Sequence, residues 1–461
     1  MAKGRGLPLE PSSDELHDLG GAALDLVVDF VGRRPTAPAV DLDGAHDLVD
    51  TLLAPPPEEG RPFADLLSLI GDAADVAVDT AGPGYMAYIP GGGLPGAAIA
   101  ELVTLAVNRY PTVAALAPGL TAVEASVARW LCDIVGFPPE AQGILTSGGS
   151  MATFSAIVAA RHARLGDDAS DGVLYVSDQI HHSVAKAARL AGLPERAVRV
   201  LPADGDLRLD AGGLADAIEA DRAAGRRPFL VVASAGTTNT GAVDPLADIA
   251  GVARIHDVWL HVDAAYGGFF LLTDRGRARF AGIERADSVT LDPHKGMFLP
   301  YGTGALVVRD GDALRAAHRV GAIYLQDLAP GALPDFADYS PELSRELRGL
   351  RVWLPLHLHG VGAFRHALDE KLDLARAVHE AVAGLPELEL PWETELSVVA
   401  FRHRDGDDAG RRLLERVNAS RRVFLSSTTV DDRFVVRVCI LSHRTHRDRV
   451  DEAIELIRSA V

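Results

Sequence analysis

Cysteine is nearly absent: Cys132 and Cys439 are the only two in 461 residues. They stand far apart, no CxxC pair occurs, and no Cys/His cluster has zinc spacing, which excludes a disulfide framework and a structural zinc module. Both lie in apolar stretches, WLCDIVGF and VVRVCILS, and read as buried structural thiols. Also missing is any Lys/Arg-rich run. With a net charge of −19, the chain lacks the basic face that a polyanion partner requires, so no nucleic acid is expected. The acidic surplus reads as solubility. The opening residues, MAKGRGLPLEPSSDELHDLG, hold no apolar segment of the kind a signal peptide needs. No window reaches about 18 uninterrupted apolar residues, so no membrane-spanning helix is expected. These absences fit a cytoplasmic protein.

What is present suffices for large cores. Hydrophobic residues make up 48% and charged residues 24%, a normal globular balance, over a length that predicts two or three domains. Residues 12–33 carry helical spacing at Leu16, Leu19, Ala23, Leu26, Val27 and Phe30. Breaks at RRPTAPAVD and APPPEEGRP set off a second helix from Phe63 to about Val78. Residues 1–81 thus read as a helical arm that packs on something else, since neither helix is long enough to stand alone. From 82 to 345 the pattern becomes short apolar runs between helical stretches: GVLYVS (172–177), FLVVASA (229–235), WLHVDAA (259–265), SVTLDP (288–293) and GALVVRD (304–310). Near-continuous apolar runs suit strands buried on both faces, and their alternation with helices predicts an α/β domain with a mostly parallel sheet. Residues 346–461 read as a long helix broken near Pro355 and Gly360–Gly362, followed by a small α+β domain.

Four segments carry candidate chemistry, in fixed order. TSGGSMATFSAI (146–157) opens a helix at Gly148, Gly149 and Ser150; glycines admit an anion closely and a helix N-terminus offers it free N–H groups. Alone, such a turn is an ordinary helix cap. VSDQIHHSVAKAARLAG (176–192) puts His181 and His182 at a strand's carboxyl end, where open α/β sheets bind ligands. WLHVDAAYGG (259–268) ends an apolar strand on Asp263, a carboxylate that is costly there unless paired; a cationic ring nitrogen of an electron-sink cofactor is one such partner, and a helix cap is the plain alternative. SVTLDPHKGMFLPYGTGALVV (288–308) sets Lys295 after a strand among small and apolar residues, where burial makes an amine nucleophilic toward an aldehyde.

The order cup, His, Asp, Lys resembles the pyridoxal 5′-phosphate (PLP) dependent group II amino-acid decarboxylases of fold type I, which include the aromatic-amino-acid, histidine and glutamate decarboxylases. The likeness runs from about Gly84 to the C-terminus and includes AGTTNTGAVDPL (235–246) and FVVRVCILSHRTHRDRVDEAIELI. It implies a large domain with a seven-stranded sheet, a small C-terminal domain and a homodimer with a shared active site. It implies that Lys295 holds PLP as a Schiff base, Asp263 pairs with the pyridine nitrogen, and His181 stacks on the ring face opposite Ala265. Gly148, Gly149 and Ser150 would bind the phosphate, Thr238 and His261 would lie near the ring and its 3′-oxygen, and His294 would flank the lysine. Tyr88, Ile89, Pro90 and Gly91 would line the substrate pocket. The implied reaction is decarboxylation of an L-amino acid, with an apolar or aromatic side chain suggested by that pocket. The alternative is another PLP reaction on the same scaffold: oxidative deamination to an aldehyde, Cβ lyase or aminotransferase. The family's loop acid would fall within about Ala322–Pro341, with Tyr339 the candidate and Tyr324 the fallback.

The chain also departs from that pattern. The family's phosphate-contacting Asn is Asp292 here, and a second carboxylate beside a phosphate is unfavourable unless it is neutral or turned away. Gly296 stands where Trp often follows the lysine, Met151 where Glu follows the cup serine, and His182 where a Ser is usual. These departures mark a divergent branch.

Overall fold

A computed structural model of the chain describes residues 9–319 and 332–461. Its centre is a seven-stranded sheet built from β2 (Gln142–Thr146), β3 (Gly172–Ser177), β4 (Val198–Leu201), β5 (Arg227–Ser234), β6 (Trp259–Ala264), β7 (Ser288–Leu291) and β8 (Gly304–Val308), in the spatial order β2-β8-β7-β6-β5-β3-β4. Only β8 runs against its neighbours. The expected mostly parallel α/β sheet is therefore present. All six residues of β3 are buried, as are the apolar residues of β5 and β6, because helices cover both faces. One face packs against the helices Pro118–Val135, Ala211–Ala223 and Leu246–Ile255. The other packs against Gly149–Leu165, Ser183–Leu190 and Gly311–His318.

A smaller sheet closes the chain. It comprises β9 (Leu388–Glu389), β10 (Val398–His403), β11 (Phe424–Val430) and β12 (Arg433–Cys439), backed by the helices Asp407–Ala419 and Arg447–Ala460. Its fifth strand comes from far away. β1 (Tyr85–Met86) pairs in parallel with β11, Tyr85 opposite Phe424, although these residues begin the span expected for the large domain. The stretch after β1, residues 87–93, therefore departs from the C-terminal sheet.

Three further details differ from the sequence reading. The break in the long C-terminal helix lies at Gly360, whose φ of 75° ends the helix Gly349–His359 before Val361–Ala383 begins; Pro355 is accommodated inside the first of these. The strand β2 is interrupted in sequence by Gly143, yet that glycine is what lets the strand lie on the helix Pro118–Val135, since a Cβ there would sit 2.9 Å from the Ala128 carbonyl oxygen. The helix Ala45–Leu52 adds a third element to the N-terminal arm. In that arm the helix Ser13–Arg33 starts from a reciprocal cap: the Ser12 hydroxyl accepts from Glu15 N–H at 3.3 Å and Glu15 accepts from Ser12 N–H at 2.8 Å, a pairing that stabilises a helix start by about 1 kcal/mol. Despite its apolar stripe, this helix buries no residue within the chain.

Candidate active site

The parallel strands bring the ends of β2, β3, β5, β6 and β7 to one edge of the sheet, where the antiparallel β8 begins opposite the end of β2. A cleft of about 820 Å³, including the space at its open mouth, lies over this edge. Gly148, Gly149, Ser150, His181, Thr238, Asp263, Ala265, Asp292, His294 and Lys295 all line it. The sequence spreads these residues over about 150 positions, and the sheet gathers them because each follows the carboxyl end of a strand.

The cup is built by β2 turning into the helix Gly149–Leu165. The Thr146 hydroxyl donates to the Gly148 carbonyl at 3.0 Å, and that same carbonyl accepts from Met151 and Ala152 N–H. No side chain caps this helix start, so its first N–H groups remain available to an anion. Gly149 is obligatory: a Cβ there would lie 2.9 Å from Asp292 Oδ2 and 3.2 Å from the Ala265 Cβ. The cradle therefore has the form a phosphate needs, with a carboxylate at its foot.

Across the cleft, Asp263 is half-buried at the end of β6, one oxygen accepting from Ala265 N–H at 3.1 Å. His181 follows β3. Its Nδ1 lies 2.8 Å from the Ser183 hydroxyl and accepts from Ser183 N–H at 3.3 Å, which leaves the proton of the neutral ring on Nε2. Burial lowers the His181 pKa, opposed by the charge of Asp263, so the ring is neutral at pH 7. The rings of His181 and His182 stand 4.1 Å apart. Lys295 sits on the single turn Pro293–Gly296, with Nζ 3.1 Å from Asp292 Oδ2. His294 Nε2 lies 3.5 Å from the same oxygen, its pKa lowered by burial.

Other expected site residues fall outside this lining. His261 is wholly buried in β6: its Nδ1 faces the Ser288 hydroxyl at 2.8 Å and its Nε2 faces Thr290 Oγ1 at 3.1 Å. It braces β6 against β7 beneath Asp263 rather than lining the cleft. Of Tyr88, Ile89, Pro90 and Gly91, only Tyr88 is exposed, at 59%; the Ile89 side chain belongs to the core. Gly91 backs onto the site, because a Cβ there would meet the His294 carbonyl at 2.7 Å and the Tyr301 ring at 3.3 Å. Tyr339 lies in the short turn Phe336–Tyr339, packed under the sheet beside the helix Gly311–His318, and does not line its own chain's cleft. Tyr324 lies outside the described residues.

The sequence reading missed Ser147, Ser183, Ser234, Gly236, Thr237 and Tyr266, which also line the cleft. Tyr266 was the most legible of them, a lone aromatic among small residues three places after Asp263. Its hydroxyl meets Ser397 Oγ at 2.8 Å and accepts from Ser397 N–H at 2.8 Å, tying the cleft to the C-terminal sheet. Arg437 of β12 makes a second tie. It donates from Nε to the Asn239 carbonyl at 2.7 Å, from Nη1 to Ser426 Oγ at 3.0 Å, from Nη2 to the Tyr88 carbonyl at 3.1 Å, and to the Thr238 carbonyl. Tyr88 itself has a φ of 51°, an uncommon conformation for a side chain of this size, and its N–H donates to Ser426 Oγ at 3.0 Å.

A lysine, a half-buried carboxylate and an uncapped glycine-rich helix start gathered on one sheet edge fit the needs of pyridoxal phosphate chemistry. Comparison with known proteins agrees. Residues 52–404 match the model of the pyridoxal-dependent decarboxylase conserved domain. The chain is 32% identical over 462 residues to an aromatic-L-amino-acid decarboxylase of Bacillus atrophaeus, covering 98% of this chain and 96% of that protein. It is 32% identical over 447 residues to an L-2,4-diaminobutyrate decarboxylase of Rhizobium meliloti, covering 94% and 89%. The structure of Oryza sativa TDC with PLP and tryptamine superposes with a TM-score of 0.93 at 28% identity, covering 98% and 99%. The chain belongs to the pyridoxal-dependent decarboxylase family. It is a PLP-dependent enzyme that decarboxylates an amino acid.

Proposed function

We propose that the enzyme decarboxylates an aromatic L-amino acid to its amine. In this reading Lys295 holds the cofactor's aldehyde carbon, Asp263 its ring nitrogen, His181 one ring face and Gly148–Ser150 its phosphate. When bound, PLP supplies the sink for the electrons that remain at Cα as the carboxylate departs. Asp263 keeps a positive partner favourable at the ring nitrogen, because it lines the cleft as a half-buried carboxylate. His181, neutral and fixed by Ser183, presents a flat uncharged ring. Lys295 Nζ is the amine that releases product.

The observation that supports the substrate assignment is a group of tyrosines beside the cleft, outside its lining residues. Tyr88 and Tyr301 are 59% and 57% exposed. Tyr301 stands edge-on to His294 at 5.8 Å, and burial raises the pKa of its hydroxyl. Such surfaces take up a flat apolar side chain. A diamine substrate would call for a carboxylate at the mouth of the cleft, and among the described residues the carboxylates of the cleft, Asp263 and Asp292, belong to the cofactor side.

A homodimer completes the reading. The helix Ser13–Arg33 leaves Leu16, Leu24, Val27 and Val28 exposed, and Pro95–Val107 leaves Ile99, Leu102, Val103 and Leu105 exposed, faces suited to a second copy. Tyr339 or Tyr324 would then act as proton donor to Cα in the partner's cleft. The two buried free thiols suit a reducing cytoplasm.

The test is a panel of amino acids with PLP-reconstituted enzyme, products identified by mass spectrometry, with Lys295→Ala as control. Tryptamine, tyramine or phenethylamine from the unmutated enzyme alone is the expected result. Amine from 2,4-diaminobutyrate instead would overturn the substrate assignment, and aldehyde without amine would overturn the outcome of the reaction.

A further inference from the structure

The cleft fits its cofactor at every wall but one. Asp292 stands at the foot of the phosphate cradle: a Cβ on Gly149 would lie 2.9 Å from its Oδ2 and 3.3 Å from its Oδ1, and one on Gly304 would lie 2.8 Å from Oδ1. The side chain is 2% exposed, so water does not screen it. Oδ2 is shared by Lys295 Nζ at 3.1 Å and His294 Nε2 at 3.5 Å. Oδ1 has no hydrogen-bond partner among the described residues. Among the described residues no arginine lines the cleft, and Lys295 is the one lysine that does. A phosphate resting on the first N–H groups of the helix Gly149–Leu165 thus meets a buried carboxylate within a few ångströms, with no second cation among the described lining residues to offset the repulsion. Asparagine has the same shape, and at this position would turn an N–H donor toward the phosphate instead of a charge.

We propose that Asp292 sets how firmly this enzyme holds its cofactor: the carboxylate weakens the grip of the Gly148–Ser150 cradle on the phosphate, so that PLP exchanges readily with the pool in solution. The proposal deepens the reading of Gly148–Ser150 as the phosphate cradle and rests on it. It makes the loaded fraction of enzyme respond to PLP concentration, a dependence that a cradle with a neutral amide would lose.

The experiment measures equilibrium binding of PLP, and separately of pyridoxal, which lacks the phosphate, to the unmutated protein and to Asp292→Asn, by absorbance titration and equilibrium dialysis. The Asn variant should bind PLP at least about tenfold more tightly, as removal of a like charge a few ångströms away in a poorly screened site implies, and should release it more slowly on dilution. Its affinity for pyridoxal should change little. Equal or weaker PLP binding by Asp292→Asn overturns the proposal. An equal gain for pyridoxal also overturns it, since the effect would then lie at Lys295. Should the unmutated protein bind pyridoxal as tightly as PLP, the cradle reading itself fails. If the Asn variant does not fold, judged by circular dichroism, Asp292→Ser carries the same expectations.

Discussion

The cradle is held from behind by a buried ion pair whose removal should be felt throughout the large domain. Glu124, on the helix Pro118–Val135, places Oε1 2.6 Å from Arg345 Nη1, and both side chains are 1% exposed. The approach is off the line of a good hydrogen bond, so the attraction is chiefly coulombic. Arg345 also donates from Nη2 to the Leu145 carbonyl at 2.7 Å and lies over the Phe336 ring at 5.6 Å. Leu145 is in β2, one residue before Thr146, which braces the cradle. Glu124→Gln keeps the shape but leaves the guanidinium buried without its counter-charge, a change that costs about 3–5 kcal/mol. With an unfolding entropy of roughly 2.1 cal/mol/K per residue, 461 residues give about 1 kcal/mol/K, so the thermal midpoint should fall by about 3–5 °C. Scanning calorimetry at a fixed scan rate measures it, since a chain of this size is prone to irreversible unfolding. The double variant Glu124→Leu/Arg345→Met removes both charges together and should recover most of the loss. A midpoint for Glu124→Gln within about 1 °C of the unmutated protein would refute the reasoning, as would a double variant less stable than either single one.

Two further predictions concern β6. Burial depresses the pKa of His261 to about 4, below the ordinary value near 6.5, so its contribution to stability is complete above pH 6.5 and is lost as pH falls through 4; the loss amounts to about 3 kcal/mol. Trp259 Nε1 donates to Ser288 Oγ at 2.8 Å, which frees the Ser288 proton for His261 Nδ1 and leaves His261 Nε2 to donate to Thr290. His261→Gln can keep both contacts without titrating, and its thermal midpoint should drop less than that of the unmutated protein between pH 7 and pH 4.5; an equal drop would show that His261 is not the group responsible. Asp263→Asn removes the charge assigned to the ring nitrogen, worth about 4 kcal/mol for a partner near 4 Å, or on the order of 10³-fold in kcat. Retention of kcat within about tenfold, measured by amine formation at saturating PLP, would dismiss that role.

The fold was legible where burial is one-sided in its demands. β3, β5 and β6 are near-continuous apolar runs because helices cover both faces, and their sequences say so. β4 was not legible: it is an edge strand of four residues with Arg199 and Val200 exposed. β2 was hidden by Gly143, whose reason lies in the backbone of a packed helix. Tyr85–Met86 is a strand only because Phe424 and Leu425, more than 330 positions later, come to lie beside it, and no local pattern encodes that. In the site, the cradle, Asp263 and Lys295 announced themselves by following apolar runs, since parallel sheets bind at strand ends. His261 shares its strand with Asp263 and differs only in depth, two residues further from the sheet edge, which spacing alone does not reveal. Tyr266 and Thr237 reach the cleft through turns whose direction depends on tertiary contacts, and Ser234 reaches it as the polar last residue of β5.

Arg437 gives the C-terminal sheet a say in what the mouth can become. One guanidinium bears the carbonyls of the exposed Tyr88 and of Thr238, which lines the cleft, while the chain leading to Tyr88 leaves from β1 on that same sheet. Residues 87–93 are therefore not an interchangeable cassette. Any loop grafted in their place must fit the β11 serine and β12 arginine that hold Tyr88 in its left-handed turn. The presentation of Tyr88 is thus set jointly by its own loop and by two side chains more than 330 positions away, so a change at Ser426 or Arg437 is felt at residue 88.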